Sequence, residues 1–188
     1  IRSMERLGIS AVIMEDKTGL KKNSLNKKTS NQKQELIKYF CDKIEQINRI
    51  KLNDEFMVFA RVESLILGKG MEDALNRAKN YVEAGAAGIM IHSKKSSPKE
   101  IFEFSDKFKK NFSFVPLICV PSTYNSVKES DLIKKKFNIV IYANHLFRSA
   151  YPAMAKTALS ILKHGRSKEC DNNLIGIKEI LKLIPGTS

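Results

Sequence analysis

Three segments of the chain, RLGISAVIMEDK (residues 6–17), EAGAAGIMIHSK (83–94) and KKFNIVIYANH (135–145), share one plan. Each follows a helical stretch with a short break, then a run of small and branched apolar residues, then polar groups. Gly8 and Gly85 stand just past their helices, where a left-handed residue closes the last turn at least cost. Two further apolar runs, FMVFARVES (56–64) and PLICVPS (116–122), also end in polar or turn residues. Between the runs the periodicity predicts helices over about 31–49, 71–84, 98–110, 126–136, 146–164 and 175–183.

Strands alternating with helices, each strand apolar along its length, imply a parallel sheet buried on both faces. An open doubly wound sheet would carry a glycine-rich phosphate loop after its first strand, and neither G-x-G-x-x-G nor G-x-x-x-x-G-K-[ST] occurs. Chemical groups instead sit at the carboxyl ends of several strands: Glu15 and Asp16, Arg61 and Glu63, His92, Ser122, Asn144 and His145. That distribution is expected of an α/β fold of the (β/α)8 TIM-barrel type, with one catalytic domain over residues 1–188. Only about five strand–helix units are visible where such a barrel has eight. The chain opens on IRSMERLG, which reads as the tail of a helix. The expectation is an incomplete, C-terminal portion of a barrel lacking about three N-terminal units; the alternative is a partial barrel closed by pairing between chains.

The formal net charge of +13 raises the question of nucleic acid. Of the 33 basic residues 26 are lysine and 7 arginine, a poor balance for base readout by the guanidinium fork. Many lysines fall at helical spacing, as in FSDKFKKNF and DLIKKKFN, and read as a solvated face. No nucleic-acid partner is expected, while the positive field would favour an anionic small substrate. No apolar run approaches the ~18 residues of a membrane span, so no membrane partner is expected and the expected location is cytoplasmic. Three scattered cysteines, Cys41, Cys119 and Cys170, make neither a disulfide framework nor a zinc site.

Individual site residues admit two readings each. Glu15, ending a strand, can hold a hard cation through water, since magnesium takes few carboxylates and keeps several waters; equally it can pair with Lys17 while Asp16 caps the next turn. Arg61 is costly inside a strand unless it meets an anion, which can be a substrate or Glu63, two residues along on the same face. His92 can hydrogen-bond a phosphoryl or carboxylate oxygen as a neutral imidazole, or be a satisfied structural histidine. Convergence of all three at one rim favours function. His164, before Gly165, reads as a complement to a helix dipole.

Four motifs in order, MEDKTGLKKNSL (14–25), ARVESLILGKGMEDALNRAKNYVEAGAAGIMIHSKK (60–95), VPSTYNSV (120–127) and VIYANHLFRSA (140–150), resemble those of the phosphoenolpyruvate mutase family, in the superfamily it shares with isocitrate lyase. The resemblance runs from Glu5 to about Pro185. It implies an isomerase that interconverts phosphoenolpyruvate and phosphonopyruvate, the C–P bond-forming first step of phosphonate biosynthesis, with Mg2+ as cofactor and phosphoryl transfer through a magnesium-held pyruvate enolate. By the same resemblance Glu15 belongs to the metal's outer shell, acting through water. Lys21, Asn23 and Ser24 lie on a loop that closes over substrate, and Arg61 and His92 bind the phosphoryl group, with Ser122 as a rim hydroxyl. The loop shuts out water that would hydrolyse a phosphoryl group in flight.

Isocitrate lyases carry Lys-Lys-Cys-Gly-His in this loop; Lys21-Lys22-Asn23-Ser24-Leu25 lacks the thiol, which argues against C–C cleavage. Phosphonopyruvate hydrolases tend to have Thr where Asn23 stands, which favours the mutase and leaves hydrolysis as the alternative, beside an inactive paralogue serving as a binding scaffold. Thr18-Gly19-Leu20 and Ser122 depart from the common E-D-K-x-F-P-K and V-P-T patterns. The aspartates that bind magnesium most directly in the family fall upstream of residue 1, so the 188 residues alone are expected to be inactive. Family members are homo-oligomers, dimers or tetramers, and this chain is expected to be one.

Overall fold

The computed structural model describes residues 1–19, 32–184 and 186. Residues 1–142 form one compact unit and residues 143–188 a second.

The first unit is an α/β fold around a five-stranded parallel sheet in which sequence order and spatial order coincide: β1 (Ala11–Glu15), β2 (Met57–Val62), β3 (Gly88–Ile91), β4 (Leu117–Cys119), β5 (Ile139–Val140). All five apolar runs singled out above are strands. A short helix α1 (Arg2–Arg6) precedes β1, and α2 (Ile37–Ile50), α3 (Gly70–Glu83), α4 (Lys99–Asn111) and α5 (Glu129–Lys134) make the crossovers. The strand order never reverses, so these strands contain no switch point of the doubly wound kind.

Period-2 alternation decides which side chains meet the helices. Ala60 and Val62, Ile89 and Ile91, and Leu117 and Cys119 form one core with Phe40, Ile44, Ala74, Ala78, Tyr81, Ile101, Phe104, Phe108 and Leu132 from α2 to α5. Met14 packs against the same core, which turns its neighbours Ile13 and Glu15 to the opposite face. The paired residues Glu15 and Arg61 therefore project away from the helix layer, as does His92, one step beyond Ile91. Gly88 is glycine for a steric reason: a Cβ there would lie 2.7 Å from the Phe59 ring and 2.8 Å from the Pro116 carbonyl oxygen. Gly85 ends α3 at φ +96°, and its carbonyl accepts a 3.0 Å hydrogen bond from Asn48 Nδ2 on α2.

Two expectations need correction. The helix expected from about residue 31 starts at Ile37, because the chain before it is spent on extended pairing: Thr18 N–H donates to Lys33 O (2.8 Å), Glu35 N–H donates to Asp16 O (2.9 Å), and Lys17 bridges Gln34 in antiparallel register. The lysines of FSDKFKKNF are not all solvated. Lys107 and Lys110 are exposed, but Lys109 is buried and donates to Val115 O at 2.6 Å, with Ser113 O and Asn138 Oδ1 each at 3.3 Å. Three oxygens of the α4–β4 turn and of β5's approach replace its water shell, and burial still lowers its pKa.

The second unit holds α6 (His145–His164), a 3-10 turn (Lys168–Asn173) and α7 (Ile177–Leu181). Gly165 closes α6 in the left-handed region at φ 63°, with His164 Nδ1 2.9 Å from Ser160 O, the helix-end role expected for it. Cys170 is buried against α6, its thiol 3.7 Å from Thr157 O. Among the described residues no helix is long and apolar enough to cross a membrane.

Candidate active site

Where β1 and β2 end, four side chains close a ring of alternating charge. Lys17 Nζ lies 2.6 Å from Glu15 Oε1 and 2.9 Å from Glu63 Oε2. Arg61 Nε donates to Glu63 Oε1 at 2.6 Å, and its Nη1 stands 3.4 Å from Glu15 Oε2. Strand pairing explains the contact, since Glu15 and Arg61 are register partners. The two cations balance the two carboxylates, so the ring is neutral overall.

Glu63 is fully buried. Burial alone would raise its pKa, but Arg61 and Lys17 outweigh it and hold the carboxyl below its ordinary value. His92 is also buried, and burial is the main reason its pKa falls to about 4; Arg61 and Lys17 push the same way against Glu63. It is therefore a neutral imidazole at physiological pH. Two buried atoms here are unsatisfied among the described residues: Glu15 Oε2 accepts no hydrogen bond and His92 Nδ1 has no partner. Buried polar atoms are normally paired, so these two stand out at the rim.

Behind the ring, on the helix side of the sheet, Asp16 is fully buried and heavily bonded. Its Oδ1 accepts from Glu63 N–H at 2.9 Å, and its Oδ2 accepts from Gln34 Nε2 (2.7 Å) and Tyr81 OH (2.8 Å), with Arg77 Nη1 at 3.5 Å. Arg77 also donates to Glu35 O (2.8 Å), Tyr81 OH (2.9 Å) and, through Nε, Asp73 Oδ2 (3.0 Å). Ser64 Oγ closes the set, donating to Asp73 Oδ2 at 2.6 Å and accepting from Gln34 Nε2 at 3.0 Å. Burial raises the Asp16 pKa despite these donors. Asp16 is therefore no turn cap, and sequence reasoning missed this network. Its one visible signal is Asp73, Arg77 and Tyr81 at four-residue spacing along the face of α3 that also carries Ala74 and Ala78.

The structure thus brings Glu15 and Arg61 into contact, with His92 on the neighbouring strand end. Of the two readings given for each, the structure shows the pairings within the chain: Glu15 meets Lys17 and Arg61 meets Glu63. Ser122 stands half-buried past β4, and among the described residues no hydrogen bond joins its hydroxyl to the ring. Lys21, Asn23 and Ser24 lie outside the described residues. The ends of their segment are inside: besides the pairing of 16–18 with 33–35, Lys17 Nζ donates to Gln32 Oε1 at 3.0 Å. Asn144, at φ 54°, and His145 begin α6 in the second unit.

At the carboxyl ends of a parallel α/β sheet the chain thus gathers a guanidinium, an uncharged imidazole and two carboxylates. Comparison with known proteins gives the family. The chain belongs to the phosphoenolpyruvate phosphomutase family, whose profile matches residues 1–162. It is 38% identical over 182 residues to phosphonopyruvate hydrolase from Variovorax sp. (strain Pal2), covering 95% of this chain and 61% of that protein. Among solved structures, phosphoenolpyruvate phosphomutase from Streptomyces platensis subsp. rosaceus superposes with a TM-score of 0.90 at 32% identity, over 97% of this chain and 62% of its own. A phosphonopyruvate hydrolase in complex with oxalate and Mg++ superposes with a TM-score of 0.82 at 37% identity, over 95% of this chain and 60% of its own. The chain spans about three fifths of the length of these relatives.

Proposed function

We propose that the protein interconverts phosphoenolpyruvate and phosphonopyruvate, and that its five strands are part of a (β/α)8 barrel. Sequential strand order and a helix core confined to one face support the barrel; a structure of the full-length protein with an open sheet would overturn it. The observation that carries the function is the pairing of Arg61, held at 2.6 Å by Glu63, with an uncharged His92 on the adjacent strand end.

The reaction needs little from the protein in the way of proton traffic. The P–O bond of phosphoenolpyruvate breaks, leaving pyruvate enolate, and a C–P bond forms at the enolate carbon; no proton or electron enters or leaves. Charge spread over the phosphoryl oxygens has to be met by fixed donors. Arg61 supplies a guanidinium whose orientation Glu63 and Glu15 set. His92 offers a neutral N–H donor that does not titrate near pH 7. Lys21, Asn23 and Ser24 would add donors from their loop and exclude water. Residues for the cation fit in part: Glu15, with one oxygen accepting no hydrogen bond, suits a ligand that acts through water, while no cluster of three or more metal-binding side chains occurs among the described residues. When bound, a divalent cation supplies positive charge beside the enolate oxygen.

Hydrolysis is the second reading, favoured by the 38% identity to the Variovorax hydrolase; there water takes the phosphoryl group and the enolate carbon gains a proton. Asn23 favours the mutase. Phosphorus NMR of the full-length protein with phosphonopyruvate, with and without magnesium, separates them. The mutase gives phosphoenolpyruvate only with metal. Inorganic phosphate without phosphoenolpyruvate assigns the hydrolase, and an unchanged spectrum rejects both.

A further inference from the structure

We propose that Asp16, Arg77 and Tyr81 are positioning residues for the site: a buried clamp from α3 that sets the register of the strand ends carrying Glu15, Lys17 and Glu63, and fastens the two ends of the segment between Thr18 and Lys33. The proposal rests on the function given above for its kinetic consequence, but not for its geometry.

The argument starts from alternation. Glu15 and Lys17 flank Asp16, so their side chains leave the backbone on the face opposite to its own. Whatever holds the Asp16 carboxylate fixes the peptide from which both of them project. The same carboxylate accepts the Glu63 amide N–H at 2.9 Å, so three of the four members of the charge ring hang from backbone that Asp16 grips. The second end of the segment is held by the same side chains. Gln34 Nε2 donates to Asp16 Oδ2 at 2.7 Å and Arg77 Nη1 donates to Glu35 O at 2.8 Å, beside the backbone pair from Glu35 N–H to Asp16 O. Arg77 and Tyr81, one turn apart on α3, thus touch both sides of the neck at once.

Packing a helix on a sheet does not require this arrangement. An apolar set of similar volume holds two elements together at least as well as a buried ion pair, and Ala74, Ala78 and Ile44 already do so nearby. Directional bonds from the Glu63 amide to Asp16 and from Arg77 to the Glu35 carbonyl add something apolar contacts cannot give, a fixed register between β1, β2 and residues 34–35. Register matters here because a misplacement of about 1 Å at a reacting centre can cost about 100-fold in rate.

The test uses the full-length protein and three variants. Asp16→Asn keeps the shape but sets an amide N–H2 against the donors of Gln34 and Arg77; Tyr81→Phe removes the bond donated to Asp16 and the one accepted from Arg77, and keeps the ring. Ser105→Ala, which removes the buried bond from Ser105 Oγ to Lys135 O far from the clamp, serves as a control for stability loss alone. Well below each melting temperature, kcat should fall about 100-fold in Asp16→Asn and about 10-fold in Tyr81→Phe with KM changed less than about threefold, and it should be unchanged in Ser105→Ala. Hydrogen exchange should quicken selectively at the amides of Thr18, Glu35 and Glu63. Unchanged kcat with only a lower melting temperature, or exchange that quickens evenly over the sheet, overturns the proposal. If the wild-type protein turns over neither phosphonopyruvate nor phosphoenolpyruvate, the assigned function falls, and the exchange pattern still decides whether the clamp sets the register. Should Asp16→Asn not fold, Tyr81→Phe carries the decision.

Discussion

The two polar networks on opposite faces of the β1 and β2 ends are built from neighbouring residues and solve opposite problems. Behind the sheet, the Asp16 carboxylate is saturated: both its oxygens are occupied by donors, while Gln34 Oε1 in that network has no partner among the described residues. At the mouth, the ring from Glu15 through Lys17 and Glu63 to Arg61 balances its charges but, among the described residues, leaves Glu15 Oε2 and His92 Nδ1 without hydrogen bonds. A carboxylate with both oxygens engaged resists change, whereas the front keeps a carboxylate oxygen and an imidazole nitrogen to spare. On the function proposed above, substitutions at the front should lower activity beyond what they do to the fold.

Arg61→Ala should have the largest effect. Loss of a fixed cation facing a phosphoryl group lowers kcat by about 10²–10³-fold or more. Because fully buried Glu63 loses one of its two cation partners and keeps Lys17, stability should also drop, by about 1–3 kcal/mol. Arg61→Lys separates the two effects: the ammonium can restore most of the stability but not the forked geometry, so activity should stay low. Denaturant titration alongside the phosphorus assay checks both. An Arg61→Lys enzyme with near wild-type turnover would place Arg61 in the structural network alone.

Glu15→Gln should act more mildly. The amide keeps the volume and loses the charge that would attract a cation through water, so the magnesium concentration for half-maximal rate should rise about 10–100-fold. Lys17 loses one of its two carboxylate partners and keeps Glu63. A magnesium titration of the variant decides; an unchanged requirement would mean that Glu15 serves only to neutralise Lys17 and Arg61.

The front of the site was more legible in the sequence than the back. Apolar runs ending in polar residues announced all five strands, and period 2 put Arg61 and Glu63 on one face before any coordinates. Asp16 could not be read this way. Its partners Arg77 and Tyr81 lie 61 and 65 residues along the chain, and nothing local in MEDK says that the middle acid turns inward to meet them. Lys109 was misread for a related reason, since a lysine at helical spacing looks solvated until the fold brings three oxygens around it. The helix start at residue 31 failed because extended pairing with residues 16–18 overrides local propensity.

The smallest expected effect concerns pH, and it tests whether His92 belongs to the incomplete front network at all. Its pKa of about 4 lies below the ordinary histidine value, so the folded protein binds its proton less readily than the unfolded chain. Stability from this residue is present above about pH 6.5 and is lost as pH falls toward 4, because the unfolded imidazole takes a proton that the folded one refuses. Between pH 7 and pH 5 the loss should be about 2 kcal/mol. Glu63, with its pKa held low, adds to the loss only below its ordinary value of 4.5, and Asp16, with its pKa raised, acts in the opposite sense as pH rises. His92→Gln removes the titration while keeping an amide donor. Its stability should therefore be nearly flat from pH 7 to pH 5 where the wild type declines, as read by denaturant titrations at the two values. Its rate should fall by the same factor at every pH in that range, because the amide donor stands at a different place from the imidazole N–H and no protonation step is lost. An imidazole that titrates near 6.5 by nitrogen-resolved NMR would mean that His92 is solvated, and its place beside Arg61 would then carry no argument for phosphoryl binding.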